Sequence, residues 1–184
     1  MIKYIDADMS QALGYLPYGL AVGLPAAVFV VWLVNMVRKR KQKPPVKWVP
    51  VTVFCVYIAV MLAITFLSRE SGSRSDVLDL ELFSTWGIND RNNAFVIENV
   101  LLFIPYGFLY CWNFPRKLRI LRCTFLGAVT SLGIETMQLL TGRGYFQIDD
   151  IVTNTLGALI GGLLYVIFSA LGRLFTAHGS KNTK

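Results

Sequence analysis

Thr141-Gly-Arg-Gly-Tyr-Phe-Gln-Ile-Asp-Asp150 is a polar break between two long apolar runs, 120–140 before it and 151–174 after it. A helix rises about 1.5 Å per residue, so a run of about 20 residues crosses the roughly 30 Å of bilayer hydrocarbon. The break therefore reads as the turn of a membrane hairpin. Three similar runs precede it, at 15–37, 48–67 and 94–113. With 54% of 184 residues hydrophobic, the chain is too apolar for an ordinary soluble domain. The runs are continuous, which disfavours a β-barrel, whose strands alternate. The sequence predicts an all-α, polytopic integral membrane helix bundle with about five transmembrane helices. Its loops are too short to hold a second domain, so 1–184 forms a single unit.

The chain carries 18 Lys and Arg against 11 Asp and Glu, a formal net charge of +7. That excess invites a nucleic-acid partner, but its distribution argues against one. Arg38, Lys39, Arg40, Lys41, Lys43 and Lys47 follow the first run, Arg116, Lys117, Arg119 and Arg122 the third, and Arg173, Lys181 and Lys184 the fifth. Only Lys3, Arg69, Arg74, Arg91 and Arg143 fall on the alternate side. The positive-inside rule then puts the N-terminus outside, the C-terminus in the cytoplasm, and the polar break on the outer face of the plasma membrane. The basic loops are topology signals with some affinity for anionic lipid.

Cys55, Cys111 and Cys123 lie in spanning helices, away from an oxidising outer loop, so no disulfide is expected. Residues 1–13 do not read as a signal peptide, because no small-residue cleavage motif follows the first run. The loop 68–93 mixes acids with Leu78, Leu80, Leu82, Phe83 and Trp86. Its part 76–90 is too apolar for a free linker and too short to span. It either lies in the headgroup layer or folds down as a cap over the helix ends.

Polar residues inside the apolar runs follow helical spacing. In the fourth run Thr124, Gly127, Ala128, Ser131, Glu135 and Gln138 share one face. In the fifth, Asp150, Asn154, Gly157 and Gly161 do the same, with Gly157 and Gly161 forming a small-xxx-small contact. The two stripes imply a close hairpin whose polar ends converge with Arg143, Asp149 and Asp150 at the outer surface. The third run brings Glu98 and Asn99 toward that surface, Glu98 snorkelling to the headgroups, while Pro105 frees the carbonyl of Leu101. Ionisable groups in such places are functional candidates by default.

The order and spacing of Asn99-Val-Leu-Leu-Phe-Ile-Pro-Tyr-Gly107, Ser131-x3-Glu135-x2-Gln138, Gly142-Arg143 and Ile148-Asp-Asp-Ile-Val-Thr-Asn154-Thr-Leu-Gly157 resemble the VanZ-like family. The resemblance is strongest over 80–165 and includes a weaker echo in Leu82-Phe83-Ser84-Thr85. It implies a polytopic membrane protein linked to resistance to teicoplanin-type glycopeptide antibiotics in Gram-positive bacteria. Two positions depart from the pattern: Gln147 stands where the family usually has an acid, and Glu98 where it usually has Gly.

The only histidine, His178, is in the C-terminal tail. Nucleophilic routes that need a histidine at the polar break are therefore excluded, which leaves carboxylate chemistry. Glu135 and Asp150 are the candidate catalytic residues, as general base or acid. Arg91, Asn99, Ser131, Gln138, Arg143 and Asn154 are candidate ligand-binding residues. Asp149, Asp150 and Glu135 are hard oxygen ligands suited to a divalent cation, Mg²⁺ or Ca²⁺. A purely structural network locking the hairpin competes with these roles. Three functions fit: binding a lipid, lipid-linked peptidoglycan precursor or glycopeptide; modifying a lipid-linked substrate; or transport, which the lack of an inverted repeat disfavours. The sequence sets no oligomeric state.

Overall fold

The computed structural model describes residues 1–67, 78–114 and 117–179, with side chains to Leu174. Arg69, Arg74, Asp76, Arg116, Lys181, Lys184 and the His178 side chain lie outside the described residues. Six helices follow one another: α1 (Ile2–Leu13), α2 (Leu16–Arg40), α3 (Trp48–Leu67), α4 (Asp90–Asn113), α5 (Arg119–Leu140) and α6 (Ile148–Gly179). Two short strands, β1 (Leu78–Asp79) and β2 (Phe146–Gln147), complete the described elements.

Helices α2 to α6 are the five expected spans, each long and apolar enough to cross a membrane. The extra helix α1 has 12 residues and none of them is buried. It is held against α4 by polar contacts: the Met1 amine lies 2.8 Å from Asp90, and Arg91 Nη1 donates to Asp8 Oδ2 at 2.6 Å. The start of α4 is set by Asn89, whose side chain accepts from the backbone N–H groups of Arg91 and Asn92. Such a cap satisfies donors that have no partner within the helix.

The three C-terminal spans form the tight half of the bundle, with α4 parallel to α6 and α5 antiparallel to both. A Cβ at Gly157 would lie 2.3 Å from the Val100 carbonyl oxygen, and one at Gly161 would lie 1.9 Å from that of Ile104. The α4 backbone therefore rests directly on α6, which only glycine permits. The sequence reading assigned these two glycines to the hairpin with α5. Instead, a neighbouring face of α6 meets α5: Asn154 bonds Ser131, Ala158 sits against Gly127, and Gly162 against Cys123. The steps of four on both helices give each contact one turn of separation.

Helix α3 leans on this half and carries α2 on its far side, α2 burying Gly19, Gly23 and Ala27. Tyr57 of α3 donates its hydroxyl to the Leu102 carbonyl, one residue beyond the carbonyl that Pro105 frees, and Asn113 Nδ2 donates to the Pro50 carbonyl at 2.9 Å. Met61, Phe103, Tyr106, Ile134 and Ala158 form the apolar core where α3 to α6 meet.

The stretch 78–89 is a cap. Leu78 and Asp79 pair in parallel with Phe146 and Gln147, so the loop before α4 is stitched to the turn before α6. The described part of the 76–90 segment is thus fastened to the helix ends, as the cap reading expects, while Leu78, Leu80, Leu82, Phe83 and Trp86 stay exposed on its surface.

Candidate functional site

The α5–α6 turn is built by a glycine. Helix α5 ends at Thr141, Gly142 takes a φ of 61°, and the N–H groups of Gly142 and Arg143 return to the carbonyls of Leu139 and Gln138 at 3.1 and 2.9 Å. This left-handed closure is readily available only to glycine and satisfies carbonyls that the helix end leaves open. It also turns Arg143 back across α3, where Nη1 donates to the Phe66 carbonyl.

Below the turn lies a buried polar core in the α5–α6 seam. Glu135 is 2% exposed, Gln138 2%, Asn154 4% and Ser131 fully buried. Asn154 Nδ2 donates to Ser131 Oγ at 2.8 Å, and Ser131 Oγ faces the Asp150 backbone carbonyl at 3.4 Å. One turn toward the loop, Glu135 Oε2 accepts the Gln147 N–H at 3.1 Å. Gln138 Nε2 then reaches across to the Thr65 carbonyl of α3 at 3.2 Å. Two acceptors of this core, Asn154 Oδ1 and Gln138 Oε1, are buried with no hydrogen-bond partner. Thr85 Oγ1 in the cap is in the same state.

Four of the expected site residues therefore come together around one seam, Ser131, Glu135, Gln138 and Asn154, while the Arg143 side chain reaches the Phe66 carbonyl of α3. Asp150 contributes its backbone carbonyl to this seam, and its side chain is half-buried on the first turn of α6. Asp149 has a different task. Its Oδ1 accepts the Phe83 N–H at 2.6 Å and its Oδ2 accepts the Thr85 N–H at 2.9 Å, so both oxygens hold the cap. Phe83 itself has a φ of 63°, which turns the chain so that both N–H groups point at Asp149. Among the described residues no three His, Cys, Asp or Glu side chains group to hold a metal. Of the expected Mg²⁺ or Ca²⁺ set of Asp149, Asp150 and Glu135, Asp149 has both oxygens accepting from the cap backbone.

Arg91 stands apart from the seam. Arg91 is taken up by α1, bonding Asp8 and stacking 4.3 Å from the Phe95 ring centroid. Asn99 is half-buried on α4. Glu98 is half-buried on the side of α4 that faces Asp8 and Arg91, with Oε1 enclosed and without a hydrogen-bond partner. Gln147, in the position where an acid is expected, serves through its backbone alone among the contacts seen, in β2 and on Glu135. The contributions of Thr65, Phe66, Phe83 and Thr85 went unseen in the sequence. They act through backbone groups, which leave no mark in residue type.

A protein-family model described as VanZ/LLP1 matches residues 54–169. A curated relative, Protein VanZ of Enterococcus faecium, is 37% identical over 70 residues, covering 38% of this chain and 43% of that protein. No solved structure matches the chain.

Proposed function

Because the chain belongs to the VanZ-like family and has the five apolar spans of a multi-pass membrane protein, we propose that it acts in teicoplanin-type glycopeptide resistance. On this reading the polar core faces the outside of the plasma membrane and engages a lipid-linked cell-wall precursor or lipid. The observation that carries it is the pair of orphaned acceptors, Asn154 Oδ1 and Gln138 Oε1, flanking the buried Glu135 along the seam. An unpaired buried acceptor costs about 1–3 kcal/mol, so a core holding two is stabilised by a partner that donates to them. The amide donors of the same side chains are already committed to Ser131 and Thr65. The open positions suit hydroxyl, amide or amine groups, which sugar and peptide portions of a cell-wall precursor carry.

The test replaces polarity while keeping volume. Asn154→Leu with Gln138→Met removes both orphaned acceptors. The expected result is loss of teicoplanin protection, with expression and thermal stability retained or raised. If protection survives, the core is only a lock between helices and the reading falls.

The alternative is an enzyme that modifies a lipid-linked substrate, favoured by Glu135, a nearly inaccessible carboxylate positioned by a backbone N–H. Glu135→Gln preserves the acceptor for Gln147 but cannot serve as a base. Protection that persists in this variant at normal expression eliminates the catalytic role of the carboxylate.

A further inference from the structure

The opposite end of the bundle carries a second feature that the polar core does not use. A cleft of about 650 Å³ opens between the start of α5 and the later turns of α6, lined by Lys117, Arg119, Ile120, Thr124, Leu159 and Val166 among others. Its volume falls in the ligand-sized range of about 300–1,000 Å³. Its charge and its apolar wall are separated along its length. Lys117 and Arg119 stand at the mouth, at the bundle end. From Arg119 to Thr124 the cleft runs about 7.5 Å along the bundle surface at the helix rise, between apolar side chains of both helices. The one hydroxyl there, Thr124 Oγ1, is spent on the Ile120 carbonyl at 2.9 Å. Among the described residues neither Lys117 nor Arg119 meets a carboxylate; Arg119 instead lies over the Tyr165 ring, 5.3 Å from its centroid.

We infer that this cleft is a binding site for an anionic phospholipid, its phosphate held by Lys117 and Arg119 and an acyl chain laid between α5 and α6. Charge complementarity selects the occupant. Two unneutralised cations at a membrane–water boundary attract a negative headgroup, while the wall beneath them offers an acyl chain apolar surface and nothing to hydrogen-bond. A soluble anion would meet the cations but leave the apolar wall unfilled. A zwitterionic lipid would fill the wall but bring its own cation to Lys117 and Arg119. The site is independent of the proposed function, lying at the other end of α5 from Glu135 and Gln138.

Native mass spectrometry of the full chain, released from detergent with phosphatidylglycerol or phosphatidylcholine of identical acyl chains, tests the assignment. Phosphatidylglycerol is expected to stay bound in preference to phosphatidylcholine. In the double variant Lys117→Gln, Arg119→Gln its apparent affinity should fall roughly 30-fold, which corresponds to about 1 kcal/mol per cation removed. Lys39→Gln with Arg40→Gln removes the same charge at the end of α2 and should leave binding unchanged. Leu159→Trp fills the cleft and should displace the lipid while keeping both cations. Equal retention of the two lipids, or equal loss in the α2 control, would overturn the site in favour of general surface charge. Retention of phosphatidylglycerol in Leu159→Trp, or an equal effect from inorganic phosphate alone, would overturn the acyl-chain half of the assignment.

Discussion

Replacing Asp149 with Asn isolates what holds the cap. The carboxylate accepts two backbone N–H groups, from Phe83 at 2.6 Å and Thr85 at 2.9 Å, at a position only 5% exposed. Hydrogen bonds to a charged group are worth about 1.5–3 kcal/mol each. Asn keeps the shape but presents an NH₂ to one of the two donors, so one bond is lost and the survivor loses its charge assistance. Lifting the cap returns those N–H groups to water, which limits the loss to the cost of local opening. The net expectation is about 3 kcal/mol, or roughly a 100-fold rise in the opening equilibrium of 78–89. Hydrogen exchange on the purified protein reads this directly: the Phe83 and Thr85 amides should exchange about 100-fold faster. Amides in the middle of α5 and α6 should be unchanged. Wild-type exchange at Phe83 and Thr85 in the variant would show that Asp149 is not the anchor, and would return it to the pool of candidate ligand groups.

Four further outcomes are expected. Gly161→Ala puts a Cβ 1.9 Å from a backbone oxygen that cannot swing aside, so it should destabilise by about 3 kcal/mol, the upper end of over-packing costs. A Cβ at Gly133 meets nothing within 4 Å, so Gly133→Ala should melt at or above the wild-type temperature in the same assay. Gly142→Ala forces a side chain into the left-handed region, costing about 1–2 kcal/mol, and Asn at that position should recover part of the loss. For orientation, an impermeant thiol reagent on intact cells should label Glu81→Cys in the exposed cap and spare Lys41→Cys between α2 and α3, in a background without Cys55; the reverse pattern would invert the topology.

The membrane made much of this fold legible. Spans of the required length stand out from composition alone, and all five appear as helices with ends within a few residues of the apolar runs. The polar stripe of α5 was legible for the same reason, since Ser131, Glu135 and Gln138 are conspicuous among apolar neighbours. The neighbour each face meets was not. Helix α6 carries small residues on two faces about 80° apart at 100° per residue, one through Asn154, Ala158 and Gly162, the other through Gly157 and Gly161. Spacing shows that both faces are small but not which helix each receives. The cap was open for another reason: Asp149 reaches backbone groups 64 to 66 residues away, and the donors carry no side-chain signature. Helix α1 was missed because its 12 residues are too few to span a membrane, and it is fastened to α4 by the Met1–Asp90 and Asp8–Arg91 pairs.

Gln138 has a geometry with wider reach than its place in the polar core suggests. Its amide is one rigid plane, with Nε2 fastened to the Thr65 carbonyl in the last turn of α3 and Oε1 left open in the core. Arg143 grips the next carbonyl, that of Phe66. The plane cannot rotate to improve a contact at Oε1 without loosening Thr65 at its other edge. Hydrogen bonding at Oε1 in the core and the seating of the α3 terminus are thus geared together through a single side chain. A spectroscopic label near Thr65 would therefore register events in the α5–α6 seam that it never touches.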